Sequence, residues 1–466
     1  MANALTGKGR YDFTQGKIVK PMLIFSLPIS IGDIFSALYN VVDSIVVGQY
    51  VGSAALAAVS ASFAITMVCV AVYAGFGIGC GVVIGQLFGA REKEKLDRAI
   101  GTAYAGALVI GLTMTVVGLI ISKPLLVAIN TPEEIINDAN IYLMIYFLGC
   151  TTQLCYYMTS GMMRSLGDSK IPMIILTICA VLNIVLDILF VVAFHWGCAG
   201  VALATVLSQA LSAVIIVRLL FTPRFGFTFR LRKMRIDREI IGMIFKIGIP
   251  SAIQSLVSSF GLLIIQSYSN SFGTNLVASN GIVQKLDSFS QLPIMALGQT
   301  ITTFTAQNLG AGQKERVIKG NRIFLFILFA IGAAVGVILF FAVVPLYRLF
   351  ISPSDPGFQE IIEIGMNSIH VMAFFYCVVA IQLGTGSILR GAGAAMPVMV
   401  IAIVSIIVRV PITYFMAAVP HNYVNLYWAT SIFNVIFALG MVAYYKFGNW
   451  SRYVVVNRGI DFREEV

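Results

Sequence analysis

Four acidic residues, Asp33, Asp43, Asp187 and Asp287, stand among neighbours that suit hydrocarbon. Asp33, Ser36, Asn40 and Asp43 recur at spacings of 3, 4 and 3, which lays one polar stripe along a helix. In the run "NIVLDILF", Asn183 and Asp187 are four apart and share a helical face. A carboxylate at the centre of a membrane helix costs on the order of a few kcal/mol, so such residues mark function by default. Two carboxylates in one poorly solvated pocket cannot easily both ionise, and the pair can take up and release a proton. With an amide oxygen and a hydroxyl they equally offer hard ligands to sodium. The residues themselves leave both ions open.

The elements that must hold these groups follow from composition. The chain has 466 residues, 58% hydrophobic and 11% charged, with a mean hydropathy of +0.90. A soluble chain carries roughly a quarter charged residues. Runs of about twenty apolar residues, each enough for one crossing, recur from end to end. They predict twelve transmembrane helices near 22–48, 54–87, 99–122, 138–163, 171–194, 198–220, 240–269, 276–308, 322–344, 361–389, 396–418 and 425–447. The expected fold is an all-α integral membrane protein in a cell (plasma) membrane.

Charge sets the orientation. With the N-terminus inside, cytoplasmic segments hold 26 of the 31 Lys and Arg, counting Arg164 and Lys170 as loop residues. Both termini are then cytoplasmic by the positive-inside bias. That bias also accounts for the net charge of +10, so no nucleic-acid partner is expected. The N-terminal stretch has no cleavable signal pattern. The seven Cys are scattered through apolar segments and read as helix-packing residues rather than disulfides or metal ligands.

On this topology Asp43, Asp187 and Thr205 each lie eight residues from the outer end of their helix, roughly 12 Å deep at the helical rise. Residues on three helices at one depth can form one site, with Asn183 beside Asp187. Counting Arg164 outside leaves no basic partner within the spans of the first half. Pro28 removes one helical hydrogen bond and permits a bend in the first span.

The halves repeat. "GQLFGAREKEKLDRAI" at 85–100 answers "AQNLGAGQKERVIKGN" at 306–321, Pro28 answers Pro250, and "MMRSLGD" answers "ILRGAGA". The reading is two pseudo-symmetric six-helix bundles: an N-terminal lobe (1–221), a basic cytoplasmic linker (222–239) and a C-terminal lobe (240–466). A parallel repeat of this kind is a transporter signature, with a central cavity and alternating access.

The motifs "ALYNVVDSIVVGQYVG", "NIVLDILF" with "GVALATVLSQ", and "AQNLGAG" resemble the multidrug and toxic compound extrusion (MATE) family, over about Lys17 to Phe447. The resemblance implies a secondary active antiporter that expels amphiphilic, often cationic, compounds in exchange for H+ or Na+, with no other cofactor. It also implies that Asp43, Asn183, Asp187 and Thr205 form the coupling-cation site, and that the first helix bends at Pro28. Asp33, Tyr39 and Asn40 are expected along the substrate path, and the transporter is expected to act as a monomer in the bilayer.

The second half departs from some relatives, with Ser258 and Ala394 where acids often stand. A cation site is not expected there. Lys285 and Asp287, two apart, should not pair with each other. Arg409 has either Asp287 or a cavity as partner, and His370 reads as a hydrogen-bonded packing residue. A lipid-linked precursor flippase is the alternative, disfavoured by twelve helices and an acidic first half. No HExxH or GxSxG set appears, so an enzyme is not expected.

Overall fold

The computed structural model describes residues 11–222, 225, 235–352, 357–418 and 422–456, without the side chains of 39–41, 43–45, 53, 262 and 264. The side chains of Tyr39, Asn40 and Asp43, and most of the 222–239 linker, therefore lie outside the described residues.

Helices joined by short turns make up most of these residues. The first half runs α1 (Val19–Val46), α2 (Ser53–Gly89), α3 (Lys93–Ala128), α4 (Glu133–Leu148), α5 (Cys150–Ser165), α6 (Lys170–Asp187) and α7 (Gly197–Leu220). The second runs α8 (Arg238–Asn270), α9 (Thr274–Gly310), α10 (Lys314–Tyr347), α11 (Phe358–Ala373), α12 (Tyr376–Gly391), α13 (Ala395–Thr413) and α14 (Val424–Phe447). Three π-helical turns extend α1, α6 and α13, over Val47–Val51, Ile188–Ala193 and Tyr414–Ala418.

Two of the twelve expected spans are broken. The fourth is α4 plus α5, interrupted at Gly149. The tenth is α11 plus α12, bent by 50°. Among the described residues nine helices are long and apolar enough to cross a membrane, and the α11–α12 pair makes a tenth. The α4–α5 pair and α9 complete the twelve in order. They fall short on hydropathy because they carry polar faces: Thr151, Thr152 and Gln153 in α5, and Asn280, Gln284, Lys285 and Asp287 in α9.

The repeat extends to backbone detail. α2 and α9 have 37 residues each, α7 and α14 have 24, and α4, α5, α11 and α12 all have 16. Left-handed residues recur in register as Gly52 and Gly273, Arg91 and Gly312, Gly167 and Gly393. The last pair shows why glycine is needed. At Gly167, φ is +88°, and a Cβ would strike the Tyr11 carbonyl; at Gly393, φ is +91°, and a Cβ would lie 2.5 Å from the Tyr453 carbonyl. After this turn the first half has Asp168, whose Oδ1 accepts the Lys170 and Ile171 N–H groups at 3.1 Å each, an N-cap for α6. The second half has Ala394 there, so the acid missing at that position is a helix cap.

The chain divides into two compact units, Met1–Gly16 with Leu27–Ala252, and Lys17–Ser26 with Ile253–Val466. The divisions fall inside α1 and α8, close to Pro28 and Pro250. Within the first unit, small residues let backbones approach, as expected where lipid supplies no hydrophobic drive between helices. A Cβ on Gly77 would sit 2.9 Å from the Tyr157 carbonyl, and one on Gly161 would run into the Gly77 carbonyl. This contact seats α5 on α2 and fixes where the side chains of Tyr156 and Tyr157 emerge. All seven cysteines are free thiols.

Candidate functional site

α6 presents two different faces. Pro172, Ile175, Cys179, Ala180, Asn183 and Asp187 are buried, a spacing of three and four that makes one protein-facing stripe. Ile174, Ile178, Val181 and Val185 are exposed on the opposite side, suited to acyl chains. Asn183 and Asp187 are therefore on the inward stripe, at 2% and 0% exposure. Asp187 is also the last α-helical residue before the π turn Ile188–Ala193, a geometry that recurs at functional sites.

α7 runs back beside α6 and supplies the third member. Asn183 Nδ2 donates to Thr205 Oγ1 at 3.5 Å. Asn183 Oδ1 is buried and accepts no hydrogen bond among the described residues. The arrangement thus presents an amide oxygen, a hydroxyl and a carboxylate within about one helical turn. Thr205, expected level with Asp187, meets Asn183 instead, and Asp187 lies one turn along α6 from that pair; the Asp43 side chain is outside the described residues.

Next to this group lies a cavity with about 480 Å³ of empty volume, part of it open. Its wall includes Ser36 from α1, Tyr156 and Tyr157 from α5, Asn183 from α6, and Thr205 and Gln209 from α7. Ser208 and Ser212 continue the α7 wall; their hydroxyls donate to the Thr205 and Ser208 carbonyls at 3.0 Å each. The sequence signal was the spacing of Thr205, Ser208, Gln209 and Ser212 along one helix, which places four polar groups around one side.

Arg164 corrects a sequence expectation. It belongs to the last turn of α5, half-buried rather than in a loop, with Nη1 donating to Ser160 Oγ at 2.6 Å. It therefore points back along its own helix, and it interacts electrostatically with Asp33, Tyr156 and Tyr157. Long basic side chains at helix ends bury their stems in this way. The first half accordingly contains a half-buried cation that interacts with Asp33.

In the second half, Asp287 accepts hydrogen bonds from Tyr376 Oη at 2.8 Å and Gln291 Nε2 at 2.7 Å. Lys285 leaves it, with Nζ 5.5 Å from the centre of the Phe350 ring. Arg409 does not pair with Asp287 either. It lies 4.5 Å over the Phe433 ring and donates to Thr430 Oγ1 at 3.4 Å. His370 stacks on Phe340 at 4.2 Å and bonds its carbonyl oxygen at 3.1 Å. It is a packing residue.

A multi-span helical protein with an internal repeat and polar groups buried within its spans is a membrane transporter by architecture. The profile of the MatE family matches residues 28–189 and 250–415, and the chain belongs to that family. It is 31% identical to "Probable multidrug resistance protein YpnP" of Bacillus subtilis, over 94% of this chain and 97% of that one. It is 24% identical to "Multidrug export protein MepA" of Staphylococcus aureus, over 88% and 89%. The solved structure "Crystal structure of MATE in complex with MaL6" superposes with a TM-score of 0.87 at 25% identity, covering 96% of this chain and 98% of that one. The family consists of multidrug efflux transporters, not enzymes, and the comparisons do not favour a lipid-precursor flippase.

Proposed function

We propose that the chain is a secondary active antiporter exporting amphiphilic organic cations across the plasma membrane by alternating access, in exchange for H+ or Na+. Asp43, Asn183, Asp187 and Thr205 form its coupling site, Asp33, Tyr39 and Asn40 lie along the substrate path, and Pro28 permits α1 to bend. Both termini are cytoplasmic, and the monomer is the transporting unit. The observation that carries this reading is the fully buried Asp187 on a membrane helix, beside an Asn183 oxygen with a free lone pair and the Thr205 hydroxyl. Burying a carboxylate there costs on the order of a few kcal/mol, and a bound cation offsets it.

An organic cation and a coupling cation compete for the same negative charge, so loading one expels the other. The test is efflux of a fluorescent organic cation from cells stripped of their own exporters. Cells expressing the chain should empty themselves of dye, and cells expressing Asp187→Asn should retain it. Equal retention by wild type and empty vector would reject the reading.

A further inference from the structure

We infer that Asp33 is the inner station of the ion path: a proton leaving the Asp187 site crosses the adjacent cavity and reaches Asp33 before entering the cytoplasm. The inference rests on the antiport reading above, and it names the coupling ion.

The cavity supplies the route. Asn183 and Thr205 form one end of its wall, and Leu176 and Ser212 lie about two turns further along the same helices. Because α6 and α7 are antiparallel, both displacements run in one direction, toward the end of the lobe that carries Lys170 and Leu220. Hydroxyls line the way from Thr205 through Ser208 to Ser212. Ser36, on the same stripe of α1 as Asp33 and one turn from it, is also in the wall. Tyr156 and Tyr157 line the cavity and interact electrostatically with both Asp33 and Arg164. Tyr156, Tyr157 and Arg164 of α5 interact with Asp33, and Cys179 of α6, also in the wall, interacts with both tyrosines.

The repeat provides an internal control. Arg164 corresponds to Arg390, and on the Pro28–Pro250 register Asp33 corresponds to Ser255, with Gln254 one residue before it. In the second half Arg390 Nη1 donates to Gln254 Oε1 at 3.1 Å and Nη2 to Ser387 Oγ at 3.1 Å. The arginine of the second half therefore reaches its facing helix through a neutral amide, and the residue at the Asp33 position is a serine. The titratable version occurs only in the half that holds the proposed coupling site.

Arg164 also discriminates between ions. A sodium ion passing this point meets a fixed guanidinium charge at close range in a poorly screened setting. A proton does not, because it arrives on the Asp33 carboxylate and makes that group neutral. In the balanced step, the Asp187 carboxyl gives its proton to cavity water. That water gives one to Asp33, and Asp33 releases it to bulk water on the cytoplasmic side.

The test uses the full chain in proteoliposomes, with a fluorescent organic cation as substrate and a pH-sensitive dye reporting proton movement. Proton and sodium gradients are imposed separately. Asp33→Asn should slow drug-linked proton movement at least about tenfold, Asp33→Glu should restore most of it, and Gln209→Leu, which replaces a polar wall group with an apolar one and leaves both acids in place, should also slow it. A wild-type proton rate in Asp33→Asn, or in Gln209→Leu should Asp33→Asn fail to fold, would overturn the inference. So would wild-type transport driven by sodium with no proton movement. Wild-type protein that moves no cation under either gradient would overturn the antiport reading, and this inference with it.

Discussion

Asn183 on α6 and Thr205 on α7 hold side-chain amide and hydroxyl 3.5 Å apart, with Asp187 fully enclosed one turn along α6. The amide nitrogen faces the hydroxyl, so the amide oxygen keeps its lone pairs for another group. In the proposed coupling site each residue would have a separable share in holding a cation.

Asn183→Leu removes an oxygen and a hydrogen-bond partner while adding no charge. It should weaken the drive for transport roughly tenfold, the scale of one buried hydrogen bond. Thr205→Val, nearly isosteric, should cost less. Initial rates of dye uptake against ion gradient, at matched protein levels, check the order.

Neutralising Asp287 should harm transport less than neutralising Asp187. Asp287 is satisfied by Tyr376 and Gln291, and an asparagine there still accepts the Tyr376 hydroxyl. A side-by-side transport assay of Asp287→Asn and Asp187→Asn at equal expression decides it; the reverse order would move the site to the second half.

Tyr376→Phe, by contrast, should act on stability. It leaves the Asp287 carboxylate short of a donor at the first residue of α12, and an under-satisfied buried group costs about 1–3 kcal/mol. Thermal unfolding in detergent should show a lowered midpoint, with Asp287→Asn less affected.

Gly161→Ala puts a methyl group into the Gly77 carbonyl, where two backbones meet and neither can swing aside. A loss of about 1–3 kcal/mol is expected for such overpacking, again read as a lower unfolding midpoint. Because the contact seats Tyr156 and Tyr157, transport at permissive temperature should also slow.

Much of this was legible before the structure. The apolar runs gave the spans, the repeated motifs gave two halves with the same element order, and the four-residue spacing placed Asn183 and Asp187 on one buried stripe. Helical rise put Thr205 level with Asp187, one turn from the Asn183 side chain that it meets. The break at Gly149 was hidden because apolar residues continue on both sides of it, and hydropathy does not register a change of direction. Arg164 was misplaced for a related reason: charge counts put an arginine near a span end outside, whereas its long stem lets the guanidinium reach inward to Ser160. The π turns after Asp187 and after Thr413 have no residue signature, since any apolar run can accommodate the extra residue.

The central claim is that drug and coupling ion compete for the carboxylate at Asp187. Equilibrium binding of a fluorescent organic cation to purified protein, across pH and with or without sodium, tests it most directly. Protons occupy the acid at low pH, so affinity for the cation should rise as pH rises, and Asp187→Asn should flatten the curve. A wild-type curve flat in both pH and sodium would contradict the account.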